Sequence, residues 1–195
     1  MKDLELKLKV GFLVDSLEVD EQILELIEFV KYNDKFAKPI IIEGYYKPEK
    51  FFVTLKKMLF TFDIHRILFA FIIRLIRQVE LRHVRQHFPS YDKLYKIDMT
   101  KVEQVTVSGN WSKSKLYLDF QGDDLNNIQN SNLDVIIRCG TGILRGEILS
   151  LPKYGILSFH HGDNTKYRGS PSGFWEVLEN EPTTGFIIQK LTEEL

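Results

Sequence analysis

Runs of apolar and polar residues along the chain predict strands and helices in an α/β order. Residues 6–14 end in the apolar run VGFLV and meet Asp15-Ser16, which is the pattern of a buried strand entering a turn. Residues 19–30 repeat apolar side chains at helical spacing, and Pro39 opens the β-branched run PIIIEG. Strand, helix and a second, parallel strand are the start of a doubly wound fold.

A long helical stretch is predicted between residues 48 and 87, where apolar and basic positions alternate. Its apolar face comprises Phe51, Leu55, Leu59, Phe62, Leu68, Ile72, Leu75 and Val79. Two interpretations apply: a membrane-surface or partner helix, or a pair of core helices with a solvated basic face. We favour the core pair, because apolar stripes usually face a core. His83 and His87 have the spacing of a helical metal pair, but without an evident third ligand a surface pair is favoured.

The middle of the chain predicts only short elements. Strands are expected at 94–97 and 104–107, and a short helix with a loop at 122–132. The helix is suggested by Leu125 and Ile128, which lie three residues apart and therefore on one face.

Stronger order returns at residue 132. A buried strand is predicted at 132–137, a turn at 140–142, a short helix at 143–149, and a further buried strand at 155–159. That last strand enters a polar turn, 160–169, and then a helix starting near Pro171 with Ser170 as its N-cap. Open α/β sheets bind ligands at the carboxyl ends of strands, so His160 and His161 are the first candidate site residues.

Composition narrows the class of protein. With 195 residues, 22.9 kDa and 44% hydrophobic residues, the chain can bury one core, and we expect a single domain over residues 1–195. A formal net charge of −1 gives no general attraction to nucleic acid or anionic membranes. The single cysteine, Cys139, excludes an internal disulfide framework. The longest apolar run, 67–73, is too short to span a bilayer, so a soluble cytoplasmic protein is expected.

Residues 134–185 resemble the catalytic half of the folate-dependent formyltransferases, which include methionyl-tRNA, glycinamide ribonucleotide and sugar N-formyltransferases. The family places Asn, one residue, then the catalytic His at a strand end, followed by a loop ending in aromatic-Arg-Gly, a helix with Trp, and Thr-Gly. The matching positions are His160, Tyr167-Arg168-Gly169, Trp175 and Thr184-Gly185. The resemblance implies a Rossmann-like fold with a mostly parallel twisted sheet and helices on both faces, best matched over residues 133–195.

Two positions depart from the family pattern. Ser158 occupies the position of the Asn, and the family's catalytic Asp would fall immediately after Leu195. We therefore expect either that the sequence is incomplete at its C-terminus or that the protein lacks this acid.

The resemblance implies formyl transfer from 10-formyltetrahydrofolate to a primary amine through a tetrahedral intermediate. His160 would stabilise the oxyanion and deliver a proton, work that suits an imidazole at neutral pH, with Ser158 as a neighbouring donor. Gly142, Ile143, Leu144 and Gly162 would contact the folate, although Ile143 and Leu144 fit core packing equally well.

The resemblance also suggests roles for the residues that follow His160. His161 and Asp163 would recognise the substrate, while Arg168 would brace the loop or contact an anionic substrate. Trp175 is interpreted as a packing residue. The expected acceptor is a small molecule such as an amino sugar, because the chain lacks the basic excess typical of tRNA binding; aminoacyl-tRNA stays open, since a tRNA-binding region could lie beyond this sequence.

Two alternatives come from other classes. A metal-dependent hydrolase would use His160, His161 and Asp163, but neighbouring residues on a strand point to opposite faces, so no metal is predicted. A non-catalytic folate or sugar-nucleotide binding module would have kept the fold without the acid, which Ser158 in place of Asn favours.

Overall fold

A computed structural model describes residues 7–44, 64–114, 116–140, 142–163, 165–167 and 173–194. The chain divides into two compact units, Met1–Tyr46 with Lys96–Leu195, and Lys47–Tyr95. In chain order the elements are β1 (Val10–Val14), β2 (Glu18–Val19), α1 (Glu21–Tyr32), β3 (Ile40–Gly44), α2 (Ile64–His87), β4 (Tyr95–Lys96), β5 (Glu103–Val107), β6 (Asn110–Trp111), β7 (Tyr117–Asp119), α3 (Asp123–Asn130), β8 (Val135–Arg138), β9 (Ile143–Arg145), a 3-10 helix (Glu147–Ser150), β10 (Ile156–His161), α4 (Phe174–Leu178) and β11 (Phe186–Lys190).

The first unit is built on a mostly parallel sheet with strand order β11-β10-β8-β1-β3-β5. Among the described pairs of this sheet, only β10–β11 is antiparallel. The predicted α/β class and the parallel pairing of the first two long strands are confirmed. The chain adds β3 and β5 on one side of β1, and β8 and β10 on the other, so the strand order reverses between β1 and β8. Open α/β sheets bind ligands at such a reversal.

Helical elements cover both faces of this sheet because its strands are apolar on both sides. Phe12 and Ile41 face a cluster that includes Ile27 of α1, and the side chain of Asp20 caps that helix by accepting from the Ile23 amide at 2.9 Å. Leu13 and Ile42, one position along, face the other cluster. That cluster also contains Ile128 of α3, which confirms the short helix predicted from Leu125 and Ile128, and Ile148 and Leu149 of the 3-10 helix.

The helix predicted at residues 143–149 is wrong. Residues Ile143–Arg145 form β9, which runs parallel to β7 with Leu144 opposite the buried Leu118. Gly146 follows with φ of 80°, a value outside the right-handed helical region, so the chain can turn helical only after it, as a 3-10 helix. The short apolar run at residues 143–149 suited either a strand or a helix. Its strand partner is β7, which lies in the middle of the chain, where the sequence pattern was weak.

The elements around the two adjacent histidines also differ from the prediction. Strand β10 extends through His160 and His161, which were expected in the turn. Strand β11 was not predicted; it is antiparallel to β10 and alternates between exposed and half-buried positions. The helix expected from Pro171 is described from Phe174, with Gly173 as its N-cap; Ser170 and Pro171 lie outside the described residues.

The second unit contains α2, whose apolar side chains are exposed along the described helix. Leu68, Ile72, Leu75 and Val79 keep between 44% and 65% of their surface accessible, so the favoured core-helix interpretation is wrong for these positions. Residues 48–63 of that prediction lie outside the described residues. The rings of His83 and His87 pack 4.6 Å apart, and Nδ1 of His87 lies 3.0 Å from the His83 carbonyl oxygen. Among the helices described, none is long and apolar enough to cross a membrane.

Candidate functional site

The candidate site lies at the carboxyl ends of β8 and β10, next to the reversal in strand order. In the register of these two strands Ser158 is the partner of Arg138, and His160 follows two residues later on the same face as Ser158. The first half of β10 is apolar and anchors the strand, since Ile156 is fully buried beside Ile136. Its polar second half therefore ends at the edge of the sheet where a ligand can reach it.

Ser158 and His160 line a cleft of about 250 Å³, called here the small cleft. Its lining residues are Arg138, Ile143, Leu144, Ser158, Phe159, His160, Gln189, Leu191 and Thr192. The fold thus brings together the two predicted catalytic residues and two of the predicted folate-contacting residues. Leu144 is also buried in the core cluster, so it both packs and borders the cleft. Gly142 is adjacent, with φ of 81°, and a Cβ there would lie 2.6 Å from the Trp111 ring.

The most unusual group beside the small cleft is the guanidinium of Arg138, which the sequence interpretation missed. It donates from one terminal nitrogen to Ser158 Oγ at 3.0 Å and from the other to the Gly142 carbonyl oxygen. Its Nε is buried and has no hydrogen-bond partner among the described residues. Burial lowers the pKa of Arg138, and the nearby Asp15 and Cys139 partly oppose that shift. The available signal was a charged residue directly after the apolar run Val-Ile-Ile.

A second cleft, of about 680 Å³, lies on the α1 face of the sheet and is called the large cleft. It is lined by Asp20, Gln22, Ile23, Leu26, Arg138, Cys139, Gly140, Ser158, Phe159, His161 and Phe186. His161 therefore lies in the large cleft and His160 in the small one, as alternation along a strand requires. Burial raises the pKa of the Cys139 thiol to about 12, so at neutral pH it is a neutral group in the cleft wall.

Hydrogen bonds fix the turn after β10 and connect it to Gly185, one of the residues that carry the resemblance. Gly162, with φ of 104°, donates its amide hydrogen to the Gly185 carbonyl oxygen at 2.7 Å. The Asp163 carboxylate accepts from the Thr165 hydroxyl at 2.6 Å and from its amide at 2.9 Å, and these hydrogen bonds lower the pKa of Asp163. The buried carboxylate of Glu176, 5% exposed, accepts from the Thr184 hydroxyl at 3.0 Å.

Several predicted residues are not brought to the small cleft. Asp163 lines a cleft of about 240 Å³ with Tyr167, Glu176 and Thr184, whereas His161 lies in the large cleft. Trp175, predicted to pack, is 39% exposed and makes an edge contact with the Phe174 ring. Arg168 lies outside the described residues. Within the described ranges no group of three or more His, Cys, Asp or Glu side chains is arranged to hold a metal ion.

The chemistry available at the small cleft is that of hydrogen-bond donors and a proton carrier. A guanidinium, a hydroxyl and an imidazole are the groups that stabilise an oxygen on which negative charge develops. An imidazole can also act as a general acid or base towards a reacting nitrogen. Apolar Ile143 and Leu144 provide a surface for a flat ring beside those polar groups.

Comparisons with known proteins find similarity over part of the chain. No model of a protein family matches the chain. It is 30% identical over 92 residues to a methionyl-tRNA formyltransferase of Clostridium perfringens, covering 46% of this chain and 30% of that protein. The corresponding enzyme of Clostridioides difficile is 29% identical over 101 residues, covering 51% and 33% of the two chains. That of Deinococcus radiodurans is 31% identical over 67 residues, covering 34% and 21%.

The matched region thus spans a third or less of the length of these curated relatives. Partial similarities of this kind, to three proteins that carry the same name, support a relationship between this chain and the formyltransferase family.

Proposed function

We propose that the protein containing this chain transfers a formyl group from 10-formyltetrahydrofolate to a primary amine at the end of β10. The observation that carries the proposal is that the small and large clefts share three lining residues, Arg138, Ser158 and Phe159. A transfer between two substrates needs two binding spaces that open onto one reacting centre. The partial similarity to formyltransferases supports the reaction class.

In the proposed arrangement the folate occupies the small cleft and the amine enters from the large one. Ile143 and Leu144 offer apolar contact for a pterin ring, and the neighbouring Ser158 and His160 face the transferred group. His161 and Asp20 in the large cleft provide polar contacts for an amine-bearing substrate.

The reaction at this centre forms one bond and breaks another. The lone pair of the amine nitrogen attacks the formyl carbon, and the carbonyl π electrons move onto oxygen to give a tetrahedral oxyanion. That anion collapses as the bond from carbon to N10 of the folate breaks, so the carbonyl re-forms. N10 takes up a proton and the new amide nitrogen loses one. His160 is the proposed oxyanion donor and the source of the proton for N10.

The proposed acceptor is a small amine, with an amino sugar as the first candidate. The formal charge of −1 offers no general attraction to the phosphates of a nucleic acid. The names of the matched relatives make methionyl-tRNA the second candidate. Both candidate acceptors should be tested in the same assay, so that the true acceptor is identified as the one that is formylated.

The test is formyl transfer by the full-length gene product, followed as the release of tetrahydrofolate from 10-formyltetrahydrofolate with each acceptor. Replacing His160 by Gln should lower kcat by about 100-fold to 1000-fold, the loss typical of one oxyanion donor. His161→Gln is the matched control, because this neighbouring histidine faces the other cleft; it should raise the KM for the amine with little change in kcat. A wild-type kcat in His160→Gln would contradict the proposal.

A non-catalytic folate-binding module is the second candidate. It is favoured by Ser158, which stands in the family's Asn position and already accepts a hydrogen bond from Arg138. This candidate predicts that the full-length protein binds 5-formyltetrahydrofolate in a calorimetric titration but releases no tetrahydrofolate with either acceptor.

A further inference from the structure

The hydrogen bonds of Arg138 are not explained by a structural role alone, such as holding the turn at Gly142 in place. Two of its nitrogens are engaged, with Ser158 Oγ and the Gly142 carbonyl oxygen, while its buried Nε has no partner in the described part of the chain. Burying a guanidinium costs free energy that few hydrogen bonds offset. This charge also borders both clefts, where the two ligands of the proposed reaction would meet.

The hydrogen bond from Arg138 determines what Ser158 can do. A hydroxyl carries one hydrogen and can accept through its oxygen lone pairs, so a hydroxyl that accepts from an arginine keeps its own hydrogen for donation. The acceptor described for that hydrogen is the Phe159 carbonyl oxygen, at 3.3 Å, which is long for an O–H donor. Ser158 itself is 2% exposed, so water competes little for the group.

We propose that Arg138 and Ser158 act as one donor unit, in which the guanidinium orients and polarises the serine hydroxyl so that it donates to the formyl oxygen of the folate. The inference rests on the proposed function and names a further residue of the same site. Ser158 would touch the reacting oxygen, and Arg138 is a positioning residue that acts through it. As the amine attacks and electrons move onto that oxygen, the donated hydrogen bond strengthens, because its acceptor becomes an anion.

The alternative is that Arg138 only braces the turn at Gly142 through its second hydrogen bond. A brace would affect folding and the shape of the folate cleft. It would not distinguish a folate that carries a formyl group from one that lacks it. The preference between two such ligands therefore separates the two roles without any need for turnover.

The experiment titrates the full-length protein with 10-formyl-5,8-dideazafolate and with 5,8-dideazafolate in a calorimeter. The wild type should bind the formylated compound about 10-fold more tightly, which is the effect of one good hydrogen bond. Ser158→Ala and Arg138→Met should each lose that preference while still binding the unformylated compound. The double variant should lose no more than either single one, since the two residues act as one unit. Arg145→Met is the matched control, an arginine on β9 whose guanidinium lies over the Tyr117 ring, and it should keep the preference.

Each other outcome also decides the matter. Equal binding of both compounds by the wild type, or a preference that survives in Ser158→Ala or Arg138→Met, overturns this inference and leaves the folate cleft in place. Failure of the wild type to bind either compound overturns the proposed function itself. If Arg138→Met does not fold, Arg138→Lys replaces it. An ammonium lacks the fork geometry that spans Ser158 and Gly142, so the preference for the formylated compound should fall. An unchanged preference in Arg138→Lys overturns the role proposed for Arg138.

Discussion

At the scale of single residues, burial determines the reactivity of Cys139. Its pKa is raised to about 12 by burial, with Asp20 adding to the shift and Arg138 opposing it. The thiolate is the reactive form, so the native thiol should react with Ellman's reagent at pH 8 at least roughly 100-fold more slowly than in the urea-unfolded chain. Cys139→Ser supplies the blank. Equal rates in the folded and unfolded protein would show that the thiol is not held in its neutral form.

Residue-scale prediction from the sequence relied on the fixed offsets between the residues that carry the resemblance. The resemblance grouped Ser158 and His160 with Ile143 and Leu144, and the fold brings all four to one cleft. His160 was expected in the turn, but it lies on β10, two residues after Ser158 and therefore on the same face. Arg138 was missed because its role depends on the strand register that sets it opposite Ser158. The register between strands that are distant in sequence depends on tertiary packing, and it cannot be predicted from one sequence alone.

At the scale of one element, strand β1 depends on the absence of a side chain at Gly11. A Cβ there would lie 2.6 Å from Leu133 Cδ1 and 3.3 Å from Ile42 Cδ1. Gly11→Ala should therefore lower the free energy of unfolding by about 1–3 kcal/mol, the usual cost of overpacking a core. Gly44→Ala on β3 is the matched control, since its Cβ would meet nothing closer than 3.6 Å. Urea denaturation of both variants measures the difference, and equal stabilities would contradict the packing argument.

Helices and strands could be predicted from the sequence when their own residues carry the hydrophobic pattern. Strands β1, β3 and β8 are short, mainly apolar runs, and α1 has its own N-cap and helical spacing. Each of these elements can therefore be predicted from its own residues. Strands β9 and β11 are different, because their residues become strands through partners, Leu118 for Leu144 and Phe159 for Ile188. Tertiary pairing overrides local preference in such short segments.

At the scale of the whole molecule, an ion pair joins positions 67 residues apart in sequence. Nζ of Lys31, at the end of α1, lies 2.7 Å from the Asp98 carboxylate. The hydrogen bond from Lys31, and then those from Thr100, hold the pKa of Asp98 well below its ordinary value of 3.8. A lowered carboxyl pKa contributes stability that is present above the unfolded value and is lost as the pH falls through the folded one.

Asp98→Asn should consequently melt at a lower temperature than the wild type at pH 7. The difference should narrow as the pH falls below 3.8, because the Asp98 carboxyl of the unfolded wild-type chain then takes up a proton that the ion-paired carboxylate of the folded state does not bind until lower pH. Asp34→Asn, at an exposed position in the turn after α1, is the control and should follow the wild type at each pH. Thermal melts from pH 2 to pH 7 give the comparison. A constant gap between Asp98→Asn and the wild type would contradict the linkage.

Because β10 pairs with the outer strand β11, a ligand bound at the candidate site should change how often β11 opens. His160 lies opposite Ile187 and His161 opposite Phe186, and β11 is the outermost strand on that side of the described sheet. Outer strands exchange their amide hydrogens through local fluctuations that cost less than global unfolding. Gln189 on β11 also lines the small cleft, so the folate that we propose to bind there would suppress those fluctuations. Deuterium uptake at residues 186–190 should therefore slow when 5-formyltetrahydrofolate is added, which makes the strand a reporter of the ligand.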